Sequence, residues 1–212
     1  MKTTTLILAF ALSFIVSLAD DGKYMEVMQK NIMTVYTAKT IPDLQAVVNT
    51  FERVGAAEKT KWEPFYYASF GYIMMANQEA DLTKKDSYLD QANAAIKKAS
   101  AIVTNESEIV AIEGFIQMLR IGVDPATRGQ EYSGLAMQSF GKAVGLNPEN
   151  PRALGLLAQM QFGTAQFFGS STAEACGTAD KALEKFATYK PASPLSPQWG
   201  KEMTVELKGK CK

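Results

Sequence analysis

From residue 22 onward, apolar side chains return every three or four positions, with polar and charged residues filling the gaps. That is the period of helices burying one face, and no stretch alternates apolar with polar between turn signals as a strand would. The spacing predicts helices over 24–38, 42–56, 62–77, 87–103, 107–121, 132–146, 151–167, 175–188 and 197–208. Several starts carry their own signal. Asn150-Pro151 sets a cap before a first-turn proline, and Thr60-x-x-Glu63 and Ser171-x-x-Glu174 have the spacing of capping boxes. Asn105 with Glu108 reads as a further box, and Ser196-Pro197 as the opening of the last helix.

A longer period lies over the helical one. Ala136, Phe140, Ala143 and Pro148 place a small residue, a large one four later, a small one three on and a proline five beyond. Ala179, Leu183, Phe186 and Pro191 repeat the set, and so do Ala92, Ile96 and Ala99 with Thr104 in the proline place. Val47, Phe51, Val54 and Lys59 form a weaker fourth copy, and successive copies stand 43 to 45 residues apart. Before three of these helices runs another with a small residue at Ser69, Gly114 or Ala158 and an apolar one four earlier, at Phe65, Val110 or Leu154. Small residues let a neighbouring backbone approach, and the apolar residue one turn away fills the space beside it.

With Ala136, Phe140 and Pro148 followed by Asn147–Leu154, this pattern resembles the tetratricopeptide repeat family, which stacks antiparallel helix pairs. The resemblance covers most of residues 40–191 and implies an all-α solenoid of about four antiparallel pairs plus a C-terminal capping helix. The period exceeds the family's 34 residues by about ten each time. The extra residues, 78–87, 122–132 and 167–178, are polar or glycine-rich and read as loops within each pair. In that family the first helix of each pair lines the concave face. By position, the resemblance puts Tyr66, Phe70, Ile73 and Met74 there, then Ala111, Phe115, Met118 and Leu119, with Gln159 and Phe162 from the last pair. The lysine, asparagine and arginine of the subclass that clamps a C-terminal carboxylate are missing from those places. Either Trp199 and Met203 of the C-terminal segment fill this apolar face, or it is a slot for a hydrophobic peptide or small molecule.

The N-terminus changes the picture of where the protein works. Lys2, an apolar run over residues 6–18 and Ser17-Leu18-Ala19 have the form of an export signal cleaved after Ala19. The organisation expected is therefore a signal peptide over 1–19, a repeat domain over 20–191 and a capping helix with tail over 192–212. The run of 13 residues is short for a membrane span, and no stable membrane insertion is expected after cleavage. Residues 153–173 carry no charge, but their glutamines, hydroxyls and glycines suit a helix buried among helices. A periplasmic or secreted location follows, and in an oxidising compartment Cys176 and Cys211 are expected to form one internal bridge.

Charge and chemistry remove function classes. The chain has 22 basic and 22 acidic residues and no histidine, so a nucleic-acid partner is not expected. Histidine-based zinc sites and catalytic triads are excluded outright. No phosphate loop, nucleophile elbow or paired-cysteine motif is present, and no catalytic, cofactor-binding or metal-ligating residue is predicted. Glu106-Ser107 resembles the glutamate-serine pair of helical cell-wall transglycosylases, but its place at a helix start reads more simply as capping. The expected function is a non-enzymatic adaptor with a protein partner. The alternative is a carrier of a small hydrophobic ligand or peptide in the concave groove.

Overall fold

The computed structural model describes residues 4–211, with side chains from residue 21 on. All regular structure among these residues is helical: α1 Thr4–Thr37, α2 Ile41–Ala57, α3 Glu63–Gln78, α4 Leu82–Ile102, α5 Ser107–Ile121, α6 Pro125–Leu146, α7 Pro151–Phe167, α8 Ala173–Thr188 and α9 Lys201–Gly209. The side chains of the predicted export signal, residues 1–19, lie outside the described ones. No described helix is long and apolar enough to cross a membrane.

The first eight helices form four consecutive pairs, each packed on the next. The small residues sit at the contacts their spacing implied. Ser69 is fully buried on α3 and its hydroxyl donates to the Ala92 carbonyl of α4 at 2.8 Å. Gly114 on α5 lies against Phe140 of α6, so close that a Cβ there would stand 2.6 Å from the ring. Ala158 on α7 is buried with Ala175 and Ala179 of α8. Ser107 at the start of α5 donates to the Ala143 carbonyl at 2.8 Å and accepts from Asn150 Nδ2 at 2.9 Å, joining the third and fourth pairs.

The additional residues of each period are mostly helix rather than loop. α4 starts at Leu82 and α6 at Pro125, well before the expected 87 and 132. Asp81 caps α4 through Lys84 N–H at 3.0 Å, and Asp124 caps α6 through Thr127 N–H at 3.2 Å. The added turns are clamped together. Asp86 accepts from Arg120 at 2.7 Å and from both Arg128 terminal nitrogens at 2.8 Å, while Asp90 takes the other arm of Arg120 at 2.5 Å. A capping aspartate with cross-helix arginines thus carries helix through sequence whose polarity suggested loop.

Other starts also differ. α3 begins at Glu63 beside Pro64, leaving Thr60 outside the helix with no capping box. Ser171 accepts from Ala173 N–H at 3.2 Å, but Glu174 turns to Gln161 instead of closing a box. α5 is capped by Glu106, whose carboxylate accepts from Glu108 N–H at 3.1 Å, and Asn105 sits just outside with φ of 60°. Asn150 does cap α7, accepting from Arg152 and Ala153 N–H at 3.0 and 3.2 Å.

The C-terminal segment corrects the expectation of one helix over 197–208. Residues 189–200 cross the array as an irregular strap, and α9 begins only at Lys201. Gly200 makes the break at φ of 100°, a left-handed conformation that disfavours side chains. A Cβ there would also press on Arg152 and Phe186, at 3.2 and 3.3 Å. α9 then lies on α7 and α8, with Leu207 buried beside Ala158, Phe162, Ala175 and Ala179. The Cys176–Cys211 disulfide joins the end of α9 to α8, with the two Cα atoms 5.8 Å apart.

Candidate ligand groove

A cavity of about 760 Å³ opens between α1, α3 and α5 on one side and the strap with α9 on the other. Gln29, Ile32, Met33 and Tyr36 enter from α1, spaced as one face of a helix. Phe70 and Met74 come from α3 and Phe115 from α5. Pro194, Gln198, Trp199 and Gly200 of the strap close the far side, with Glu202 and Met203 at the start of α9. The walls are aromatic, aliphatic and thioether, with two glutamines and one glutamate as polar features.

Three tyrosine hydroxyls fasten the strap. Tyr67 donates to the Leu195 carbonyl at 2.7 Å, and Tyr36 accepts from Gln198 N–H at 3.2 Å. Tyr66 accepts from Trp199 Nε1–H at 2.9 Å and donates to Glu108 at 3.3 Å. Desolvation pushes all three phenols up from their ordinary range, with the Glu108 charge adding to the effect at each. Glu108 is itself gripped by Arg152, through Nε at 2.9 Å and Nη2 at 2.7 Å. Tyr189 lays its ring 4.4 Å from the guanidinium carbon. A buried network of charged and phenolic groups therefore stands behind the strap, while the groove side is apolar.

The residues expected on the concave face divide into two sets. Phe70, Met74 and Phe115 line the groove. Tyr66, Ile73 and Ala111 are wholly buried, and Met118 and Leu119 pack against the main core. Gln159 is half-buried, and Phe162 belongs to the separate cluster under α9. Trp199 and Met203, expected at this face from the C-terminal segment, do line the groove, whereas the α1 face and Pro194, Gln198 and Gly200 of the strap lie outside the expected set. The spacing of 29, 32, 33 and 36 was a usable signal for α1, whereas the strap carries no periodicity to read. Glu106 and Ser107 are engaged in the cap and the helix junction described above.

Together the pairs and groove define a tetratricopeptide-like helical repeat protein with an apolar concave site partly covered by its own C-terminal segment. Among solved structures the chain is similar to the HusA haemophore from Porphyromonas gingivalis. The two are 26% identical with a TM-score of 0.79, over 89% of this chain and 92% of that one. A MamA structure matches 79% of this chain and 86% of its own at 12% identity and a TM-score of 0.43. The tetratricopeptide protein TTC0263 from Thermus thermophilus matches 86% and 97% at 15% identity and 0.38. No protein-family model matches the chain, and neither does any curated protein.

Proposed function

We propose that the protein is an exported, non-enzymatic carrier whose groove takes a flat apolar molecule of the tetrapyrrole class. The observation that carries this reading is the groove itself, wide and apolar in a chain similar over nearly its full length to a haemophore. Its volume falls within the range of about 300–1,000 Å³ usual for small-molecule sites. The signal-like N-terminus and the disulfide support an extracytoplasmic setting. With no histidine in the chain, imidazole cannot hold an iron. Contact with the ring faces supports binding with or without iron. Gln29 and Gln198 offer polar contacts, and the thioethers of Met33, Met74 and Met203 are groups available to an iron.

The test is a titration with haemin and with iron-free protoporphyrin IX, followed by absorbance and fluorescence. Saturable one-to-one binding of both, within about tenfold of each other, is the expected result. Absence of saturable binding by either porphyrin would sink the reading. A protein-contact role keeps one specific support, the edge-to-face pair Phe167 and Phe168 at the C-terminal end of α7, exposed at 83% and 74%. Replacing both with serine would remove a protein partner's docking while leaving porphyrin binding intact.

A further inference from the structure

The groove's best stacking surfaces are already covered by the chain itself. Phe70 and Phe115 are 3% and 2% exposed. What covers them is Trp199, whose indole lies within 25° of parallel to Phe70 at 5.0 Å and 21° to Phe115 at 5.9 Å. Near-parallel aromatic rings at these separations gain both burial and quadrupole alignment. A planar ligand would make the same contacts with the same two phenyl faces. An acyl chain or aliphatic guest would gain little from their orientation.

We propose that Trp199 occupies a stacking seat that suits a ligand, and that a flat conjugated ring system takes that seat by displacing the strap. This deepens the groove reading above and rests on it. Trp199 is thereby a specificity-determining residue. Only a guest that stacks on Phe70 and Phe115 better than the indole does opens the strap.

The strap is built to move as a unit. Residues 189–200 have no helix or ladder holding them, and Pro191, Pro194 and Pro197 interrupt the supply of main-chain donors. Its links to the array include the hydrogen bonds to Tyr36, Tyr66 and Tyr67. The Trp199 bond can be released without orphaning the buried Tyr66, because that hydroxyl still donates to Glu108 at 3.3 Å. Gly200, left-handed, supplies a hinge, and beyond it α9 is held to α8 by the disulfide. The strap can leave the groove while its C-terminal end stays anchored.

The experiment uses the full exported chain with its disulfide intact and protoporphyrin IX as probe. Hydrogen exchange at Leu195, Ser196, Gln198 and Trp199 is compared with and without saturating probe, and affinities are measured for the wild type, Trp199→Phe and Trp199→Ala. Circular dichroism and melting establish that each variant is folded, and the phenylalanine variant keeps a ring in place should the alanine one fail. The expected result is strap exchange about tenfold faster with probe bound. Trp199→Ala should bind about five- to thirtyfold more tightly, because it no longer competes with the ligand. Binding by Trp199→Ala but not by the wild type would mean that the native strap does not yield to the probe, and would overturn both this inference and the groove reading for the native chain. Strap exchange that slows or stays unchanged on binding, or weaker binding by Trp199→Ala, would make Trp199 a fixed wall and overturn this inference while leaving the groove reading intact. Binding by neither the wild type nor either variant would remove the groove reading and this inference with it.

Discussion

Arg152 enters the core with a side chain only 1% exposed, and its charge survives because Glu108 meets it with several hydrogen bonds. Burial opposes the guanidinium charge, but the Glu108 bonds outweigh it and raise the pKa above the ordinary arginine value. Removing only the acid leaves a buried cation unpaired. Glu108→Ala is therefore expected to cost about 3–5 kcal/mol in urea unfolding, far more than an exposed carboxylate would. The three strap-holding tyrosines make a second residue-scale prediction. Their phenols are raised in the fold by desolvation, so the native state keeps protons that the unfolded chain releases near pH 10. Their stabilising effect is complete below that pH and is lost as pH rises toward the higher folded pKa values. Urea midpoints should hold steady between pH 7 and 9 and fall above about pH 10. A midpoint flat to pH 11 would contradict the burial of these hydroxyls.

Between helices, what matters is how closely two backbones may approach. Gly114 and Gly141 sit in adjacent helices, yet they should respond oppositely to alanine. A Cβ at Gly114 meets the Phe140 ring at 2.6 Å, and Phe140 is fully buried with little freedom to retreat. A Cβ at exposed Gly141 meets nothing within 4 Å. Gly114→Ala should destabilise by about 1–3 kcal/mol, whereas Gly141→Ala should stabilise by about 0.5–1 kcal/mol. Thermal melts of the two variants should show opposite signs. The disulfide belongs to the same scale, since it fixes one element to another. Its sequence separation of 35 predicts a contribution of about 3–4 kcal/mol in the chain-entropy description. Cys211→Ser should lower the melting temperature and speed protease cutting within 191–197. Unchanged melting and cutting would mean that α9 docks without the bridge.

Across the whole molecule, the array encloses a site that no single repeat contains. Met33 is 63% exposed at the groove wall, so altering it disturbs little of the packing. Met33→Glu is expected to weaken porphyrin binding by about tenfold or more, because it brings a charge against a mostly apolar guest. Its melting temperature should stay near that of the parent. Equal affinity in that variant would place the ligand away from the α1 wall. The same architecture makes a balanced charge compatible with the proposed carrier role. The buried Arg152–Glu108 pair lies behind the strap, leaving the groove mainly to aromatic, aliphatic and thioether contacts, with Glu202 its one charged wall residue among the described residues.

Helical periodicity, the small residues at helix junctions and the pairing of Cys176 with Cys211 could all be read along the chain. The first two reflect contacts whose partners recur at regular separations, because every repeat solves the same packing problem. Two cysteines, for their part, allow just one internal bridge. The early starts of α4 and α6 could not be read this way, because those polar segments are held in helix by bonds between helices, Arg120 of α5 and Arg128 of α6 both reaching Asp86 of α4. Nor could the strap. Gln198 reaches Tyr36 across 162 residues of sequence. The conformation of that segment is set by tyrosine hydroxyls and phenyl faces assembled elsewhere in the chain, not by any local period. Sequence determined the array and its staple, and the tertiary structure decided which face became a groove and which tryptophan fills it.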